Sequence, residues 1–152
     1  AERAREPGAG GMSRRAIAMG LAAAAALAPA SAMAADPVGL WATGSEGGRV
    51  EIYRCGAALC GKVVDAKRLR ANPDLRDVRN GDPKLRQRQL MGLVVLQNFK
   101  GGPSEWKGGP VYDPETGDGA SRGELRLLGN GKLEVKGCLA LFCRTKTWTR
   151  LN

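Results

Sequence analysis

The chain has 152 residues, 43% hydrophobic and 26% charged, with a formal net charge of +9 and no histidine. That balance supports a packed core and argues against disorder, and the missing imidazole removes the commonest general base and metal ligand. Aromatic residues make up only 5% of the chain, too few for a base-stacking platform, so nucleic acid is not an expected partner.

Residues 1–11 are rich in Gly, Arg and Glu and read as an upstream extension, with Met12 as the expected start. Ser13-Arg14-Arg15, the Ala-rich run 16–28 and the small residues Ala30-Ser31-Ala32-Met33-Ala34 have the order of an export signal: basic region, short apolar region, Ala-x-Ala cleavage site. A signal peptide over 12–34 is therefore expected, placing the mature protein in the periplasm or outside the cell. The apolar run is too short and too alanine-rich for a membrane span. The paired arginines also loosely resemble a twin-arginine signal. Removing residues 1–34, which carry four Arg and two Glu, leaves 118 residues (35–152) with a net charge of +7. That length suits one domain; the scattered basic charge reads first as an aid to solubility, with attraction to anionic envelope surfaces as the alternative.

From Val38 onward the hydrophobic period is two. Gly39-Leu40-Trp41-Ala42-Thr43 predicts a first strand, and residues 49–55 and 60–65 a second and third. Residues 66–89 break the alternation with two turn clusters, Asn72-Pro73-Asp74 and Asn80-Gly81-Asp82-Pro83, amid charge. A loop of this length inside a domain is functional, mobile, or a solvated excursion with one turn of helix around Pro83 to Gln87. Residues 90–99 are the most apolar strand of the mature chain. The fifth strand, 105–112, carries Trp106 and is interrupted by Gly108-Gly109-Pro110, a pattern that marks a bulge or bend. Strands at 121–128 and 132–138 flank Asn130-Gly131, a hairpin signal, and 143–151 is the eighth. Eight sequential strands with short connections predict an all-β fold, a small closed up-and-down antiparallel barrel of about eight strands. The last strand has Arg144, Lys146, Trp148 and Arg150 on one face and three threonines on the other. Neither face suits lipid, so no transmembrane segment is expected in the mature protein.

Gly39-Leu40-Trp41, Glu51-Ile52-Tyr53-x-Cys55, Leu59-Cys60-Gly61-Lys62-Val63, Asp82-Pro83-x-Leu85-Arg86, Leu90-x-Gly92-Leu93-Val94, Trp106-x-Gly108-Gly109-x-Val111-Tyr112-Asp113-Pro114, Leu133-x-Val135-x-Gly137-Cys138 and Thr147-Trp148-Thr149-Arg150 occur in that order. They resemble the exported bacterial domain-of-unknown-function family 2147 over almost the whole mature chain. The resemblance implies a lipocalin-like (calycin-like) barrel and no established activity. Residues 66–79 look longer than is usual for that family, and Gly119-Ala120-Ser121 departs from its Thr-Tyr after the Asp-Pro turn. Lipocalin-like barrels resemble one another in a first-strand Trp and a last-strand Arg. Barrel closure makes those strands neighbours, so Trp41 and Arg150 are the expected closure pair, guanidinium stacked on indole.

The four cysteines permit three disulfide pairings or one four-thiolate zinc site. An oxidising compartment favours disulfides. In a meander the loop after the second strand and the loop after the seventh lie at opposite ends, so local bridges Cys55–Cys60 and Cys138–Cys143 are expected. A redox or zinc role is the alternative, though the spacers are longer than the two residues usual in redox motifs. Asp113-Pro114-Glu115-Thr116-Gly117-Asp118-Gly119 has oxygen ligands but not the spacing of a twelve-residue calcium loop, and reads as a β-turn.

No nucleophile motif surrounds Ser45, Ser104 or Ser121, and no phosphate-binding loop follows a strand. Asp65, Asp74 and Asp82 are the carboxylates nearest the long loop, each also explained as a strand end or turn residue. The expected function is non-enzymatic and without a cofactor: a barrel binding a small or envelope-derived ligand at its mouth, with Tyr53, Gln97, Trp106 and Tyr112 as lining candidates. The alternative is an interaction module with a filled core, its basic segment 66–89 contacting a protein or an anionic envelope polymer.

Overall fold

The computed structural model describes residues 36–151, with Gly8 and Gly10 besides. Apart from those two glycines, the expected extension 1–11 lies outside the residues so described, as does the expected signal peptide 12–34. From Gly39 the chain runs through β1 (Gly39–Ala42), β2 (Arg49–Cys55), β3 (Ala58–Asp65), α1 (Lys67–Ala71), a 3-10 turn (Pro83–Leu85), β4 (Val94–Gly101), β5 (Glu105–Gly108), β6 (Val111–Asp113), β7 (Asp118–Ala120), β8 (Arg122–Leu128), β9 (Lys132–Leu139) and β10 (Phe142–Leu151).

The ten strand segments make a barrel of eight staves. β5 and β6 are one stave broken at Gly109-Pro110, and β7 and β8 are one stave broken at Ser121. Pairing keeps one register across both breaks, from Glu105↔Arg126 through Gly108↔Gly123 to Val111↔Ala120 and Asp113↔Asp118. Each stave pairs with its sequence neighbour, and β1 pairs with β10 as well as β2, so the antiparallel ring closes. β3 and β4, joined by the longest connection, pair at Leu59↔Phe99, Gly61↔Leu96 and Lys62↔Val94.

The expected fourth strand begins later than its apolar run implies. Gly92 takes φ +77°, a left-handed conformation that turns the chain out of extended geometry. Leu90 and Leu93 are buried, but as part of the connection 66–93: Leu90 N–H donates to the Leu75 carbonyl and Val63 N–H to that of Leu93. The connection also holds α1, which the charge-rich sequence hid. Its only buried side chain is Leu69, too little for a helical period to register.

Alternation places Trp41, Val50, Ile52, Leu59, Val63, Leu125, Leu133, Val135 and Trp148 inward, and with Phe99 and Trp106 they fill the interior. Each large aliphatic or aromatic side chain so buried contributes about 1.5–3 kcal/mol. Outside, the registers Lys107↔Glu124↔Lys136 and Glu105↔Arg126↔Glu134 lay two rows of alternating charge across β5, β8 and β9. Ion pairs of 3.0 to 3.7 Å link each row. A lipid-facing wall would carry apolar side chains there. Among the described residues no helix is long and apolar enough to cross a membrane.

β10 outruns β1, which pairs with it only at Thr149, Arg150 and Leu151. The β9–β10 hairpin consequently projects, with Leu139, Leu141 and Phe142 exposed at its tip.

Candidate functional site

The two ends of the barrel differ. At one end Arg150 lies over the Trp41 ring with its guanidinium carbon 4.4 Å from the ring centre. Its Nη1 donates to the Val38 carbonyl at 3.1 Å and its Nη2 to that of Asp36. Trp41 Nε1 donates to the Pro37 carbonyl at 2.9 Å, and Arg54 pairs with the Asp36 carboxylate at 3.1 Å. The segment before β1 is thus drawn across this end and seals it. The Asp36 carboxyl is held below the usual carboxylate range by the backbone N–H of Val38 and by Arg54.

The connections 43–48, 66–93, 114–117 and 140–141 gather at the other end, the mouth. Segment 66–93 lies over the mouth as a lid. Lys67 N–H donates to the Glu46 carbonyl, and the bonds Asp77 N–H to Arg88 O and Leu90 N–H to Leu75 O make a short ladder around the bridge Arg76↔Gln89. Leu69, Leu75, Leu90 and Leu93 pack down into the core cluster.

What latches the lid is a buried carboxylate. Asp77 is 1% exposed and accepts three hydrogen bonds: from Asn80 Nδ2 at 2.9 Å, Arg88 Nη2 at 2.8 Å and the Tyr112 hydroxyl at 2.5 Å. A carboxylate so removed from water is tolerated because its lone pairs are engaged and its charge is paired. Tyr112 sits on β6, so this network ties lid to wall. Burial, and then the Asp77 carboxylate, raise the Tyr112 hydroxyl far above its ordinary pKa and keep it a donor. A second tie lies alongside. Arg79 donates to the Glu115 carbonyl, and Gly117 passes so close that a Cβ there would sit 1.9 Å from the Arg79 oxygen. That position, with φ +80°, admits only glycine.

Beneath the lid is a cavity of about 90 Å³. Val50, Val63, Val95 and Trp148 form its floor, Leu69, Leu75 and Leu90 its roof. Arg49, Asp65, Arg68 and Glu115 stand at its rim. Burial raises the Glu115 carboxyl above the usual range, with Asp113 and Glu46 adding to the rise and Lys146 and Arg68 opposing it.

Of the four lining candidates, Tyr112 alone reaches this cavity. Tyr53 faces outward under Lys62, whose Nζ is 5.2 Å from the ring centre. Trp41 opposes Val50, and both point inward, so alternation turns Tyr53 out. Gln97 is exposed on the outer wall, in an open cleft of about 330 Å³ that it shares with Asn80, Arg88 and the outer side of Tyr112. Trp106 is core near the sealed end, beside Gly101-Gly102-Pro103. The cavity residues missed from sequence include Trp148 and Val50. Trp148 carried a signal, since it shares the face of Arg150; Val50 is placed only by the register that makes it the partner of Trp41. The closure pair therefore sets the inward phase of the strands beside it.

Cys55–Cys60 and Cys138–Cys143 are disulfides, with Cα–Cα separations of 5.8 and 4.0 Å, and each spans one hairpin turn. No cysteine is free, so thiolate ligation of zinc is not available to this form. Among the described residues no His, Cys, Asp or Glu cluster is arranged to hold a metal. Asp65 is engaged by Arg70 at 2.5 Å and Arg49 at 3.7 Å, and Asp82 caps the 3-10 turn through Lys84 N–H.

The closed antiparallel ring agrees with what the comparisons return. Protein HP1028 from the human pathogen Helicobacter pylori, described as belonging to the lipocalin family, superposes with a TM-score of 0.64 at 23% identity, over 77% of this chain and 84% of that one. At that identity the likeness establishes the fold. No curated protein matches the sequence. Residues 39–150 match the family described as an uncharacterized protein conserved in bacteria (DUF2147), and the chain is a member of that family.

Proposed function

We propose that the protein is an exported, non-enzymatic binding protein that takes a small apolar ligand into the mouth of its barrel, beneath the lid. The carrying observation is the apolar cavity of about 90 Å³ at the mouth, opposite the sealed end. Lipocalin-like barrels characteristically have room at one end for one small ligand, and small-ligand sites are apolar hollows with few polar groups. The disulfides suit an oxidising compartment, which supports the export reading. The carboxylates of Asp65, Asp77 and Asp82 are occupied in local bonds, which supports binding without transformation.

The test is methyl chemical-shift mapping of the full chain with xenon and with benzene. Shifts concentrated on Val50, Val63, Val95, Leu69, Leu75 and Leu90 are expected. Shifts confined to the outer cleft around Gln97, or no saturable shift, would remove the mouth as the site.

One observation favours a second reading. The upper surface of the lid exposes Lys67, Arg70, Arg76, Arg79, Lys84 and Arg86 against only Asp74 and Asp82. That face suits an anionic envelope polymer or headgroup. Salt-sensitive retention on anionic vesicles, lost when four of these residues become Gln, is the expected result. Retention unchanged by those substitutions would count against it.

A further inference from the structure

The exposed apolar side chains are not spread over the barrel. Among the described residues the large ones are Val78, Leu85, Met91, Leu139, Leu141 and Phe142. The first three lie on the lid and the last three at the end of the β9–β10 hairpin. Connections of an up-and-down ring alternate between its ends, so all six stand at the mouth and none at the sealed end. Exposed apolar surface of this kind marks a contact with protein or membrane. The two disulfide hairpins show the contrast. A bridge spans each turn, but the hairpin at the sealed end folds Ala58 and Leu59 into the core. The one at the mouth holds Leu141 at 95% and Phe142 at 83% exposed.

The same end is basic. Segment 66–93 carries eight Lys or Arg against three Asp, and one of those, Asp77, is committed to Arg88 inside the lid. At the hairpin Arg122 reaches the tip, where its Nη2 donates to the Ala140 carbonyl at 2.8 Å. Arg144 stands open to solvent while paired with Asp118 at 3.3 Å. A stable protein interface takes about 800 Å² from each partner, which the end of one hairpin bordered by charge does not offer. An anionic bilayer needs no matching shape: its boundary attracts basic residues and the layer beneath takes Leu and Phe.

The hairpin is built to enter such a layer. Strand pairing runs as far as Leu139↔Phe142, leaving two residues in the turn. With the Ala140 carbonyl bonded to Arg122, little unpaired backbone is carried inward. The stems of Arg122 and Arg144 let their guanidinium groups stay at the headgroups while the tip goes deeper.

We propose that the protein docks mouth first on anionic lipid bilayers, with Leu141 and Phe142 inserted into the apolar boundary and the basic lid resting on the headgroups. This rests on the headgroup form of the lid reading and adds the apolar element that enters the membrane; it does not require the cavity to be filled. Docked in this way, the mouth opens toward the bilayer.

The experiment compares vesicles of phosphatidylglycerol mixed with phosphatidylcholine against phosphatidylcholine alone, using the full chain. Trp41, Trp106 and Trp148 are buried, so Phe142→Trp introduces the one tryptophan that faces solvent. On anionic vesicles its emission is expected to shift to the blue and to be quenched by lipid brominated near the headgroup end of its acyl chains. Leu141→Asn is expected to keep the wild-type Tm and to weaken binding about tenfold, the loss of one large apolar side chain from the bilayer. Four lid substitutions to Gln should remove the salt dependence and leave Phe142→Trp quenched in whatever fraction still binds.

Wild-type binding in Leu141→Asn, or a Phe142→Trp emission that bound vesicles neither shift nor quench, would overturn insertion and leave the lid reading standing. Equal binding to both kinds of vesicle would overturn the part given to the basic lid, and binding to neither would overturn both. A blue shift that grows with protein concentration in the absence of lipid, with a doubled mass in sedimentation, would assign the hairpin to a second copy of the chain and overturn the bilayer as its partner.

Discussion

Removing the Tyr112 hydroxyl tests the latch between lid and wall. Tyr112→Phe keeps the ring, its place on β6 and the guanidinium of Arg88 5.8 Å from the ring centre, and takes one of three donors from a carboxylate that is 1% exposed. Asp77 retains Asn80 and Arg88, so the charge stays paired and the loss is one hydrogen bond to a charged group. Such bonds contribute about 1.5–3 kcal/mol, and for a domain of this size about 2 kcal/mol corresponds to a fall in Tm of roughly 8 °C. The effect should also be local. Hydrogen exchange at the lid ladder, the amides of Asp77 and Leu90, should quicken more than at the β8–β9 amides, because the lost bond holds the lid and not the ring. Tyr53→Phe, on the outer wall, serves as the control and should leave both quantities unchanged. Wild-type Tm and wild-type lid protection in Tyr112→Phe would refute the latch.

Arg150→Ala should cost about 3 kcal/mol in urea unfolding, from two carbonyl bonds and the stack on Trp41. Arg150→Lys should recover less than half, since an ammonium cannot bond both carbonyls while lying flat on the indole; full recovery would count against the closure geometry. Glu115→Gln tests a raised pKa: an acid whose folded pKa lies above its unfolded value of about 4.5 contributes stability below that pH and loses it as pH rises through the folded pKa. The variant should therefore be more stable than wild type at pH 7, with the difference vanishing below about pH 4. A variant less stable at pH 7 would contradict the burial of that charge. At the β9–β10 turn Ala140 adopts φ +52°, a conformation costing a non-glycine residue about 1–2 kcal/mol. Ala140→Gly should stabilise by about 0.5–1 kcal/mol net of the added freedom of the unfolded chain, and thermal unfolding that shows no gain would refute the assigned strain.

Several of these features were legible in the residues, each for a local reason. Period-two alternation, broken by Asn130-Gly131 and Lys100-Gly101-Gly102-Pro103, reports strands because side chains on a pleat must face opposite ways. Two cysteine pairs five positions apart, each astride a hairpin turn, report local bridges once strand order puts the turns at opposite ends. Trp41 and Arg150 stand 109 positions apart in the sequence, yet meander closure leaves the first and last strands no other neighbours. The inward phase was not legible: it needs the register Trp41↔Val50 that the folded sheet supplies, by which Val50 and Ile52 are inside and Tyr53 is not.

The lid and the cavity beneath it were not legible. Segment 66–93 reads as charged loop because its buried groups, Leu69, Asp77, Asn80, Leu90 and Leu93, and the half-buried Leu75 follow no single period. Asp77 looks like any surface aspartate until Tyr112, 35 residues on, is brought to it. Local spacing dictates which strands form and how they close, because those depend on neighbours along the chain and across one ladder. Which side chains share a hollow, and which carboxylate is drawn beneath the lid, depends on where a 28-residue connection settles over the mouth; only the packing of the folded chain decides that.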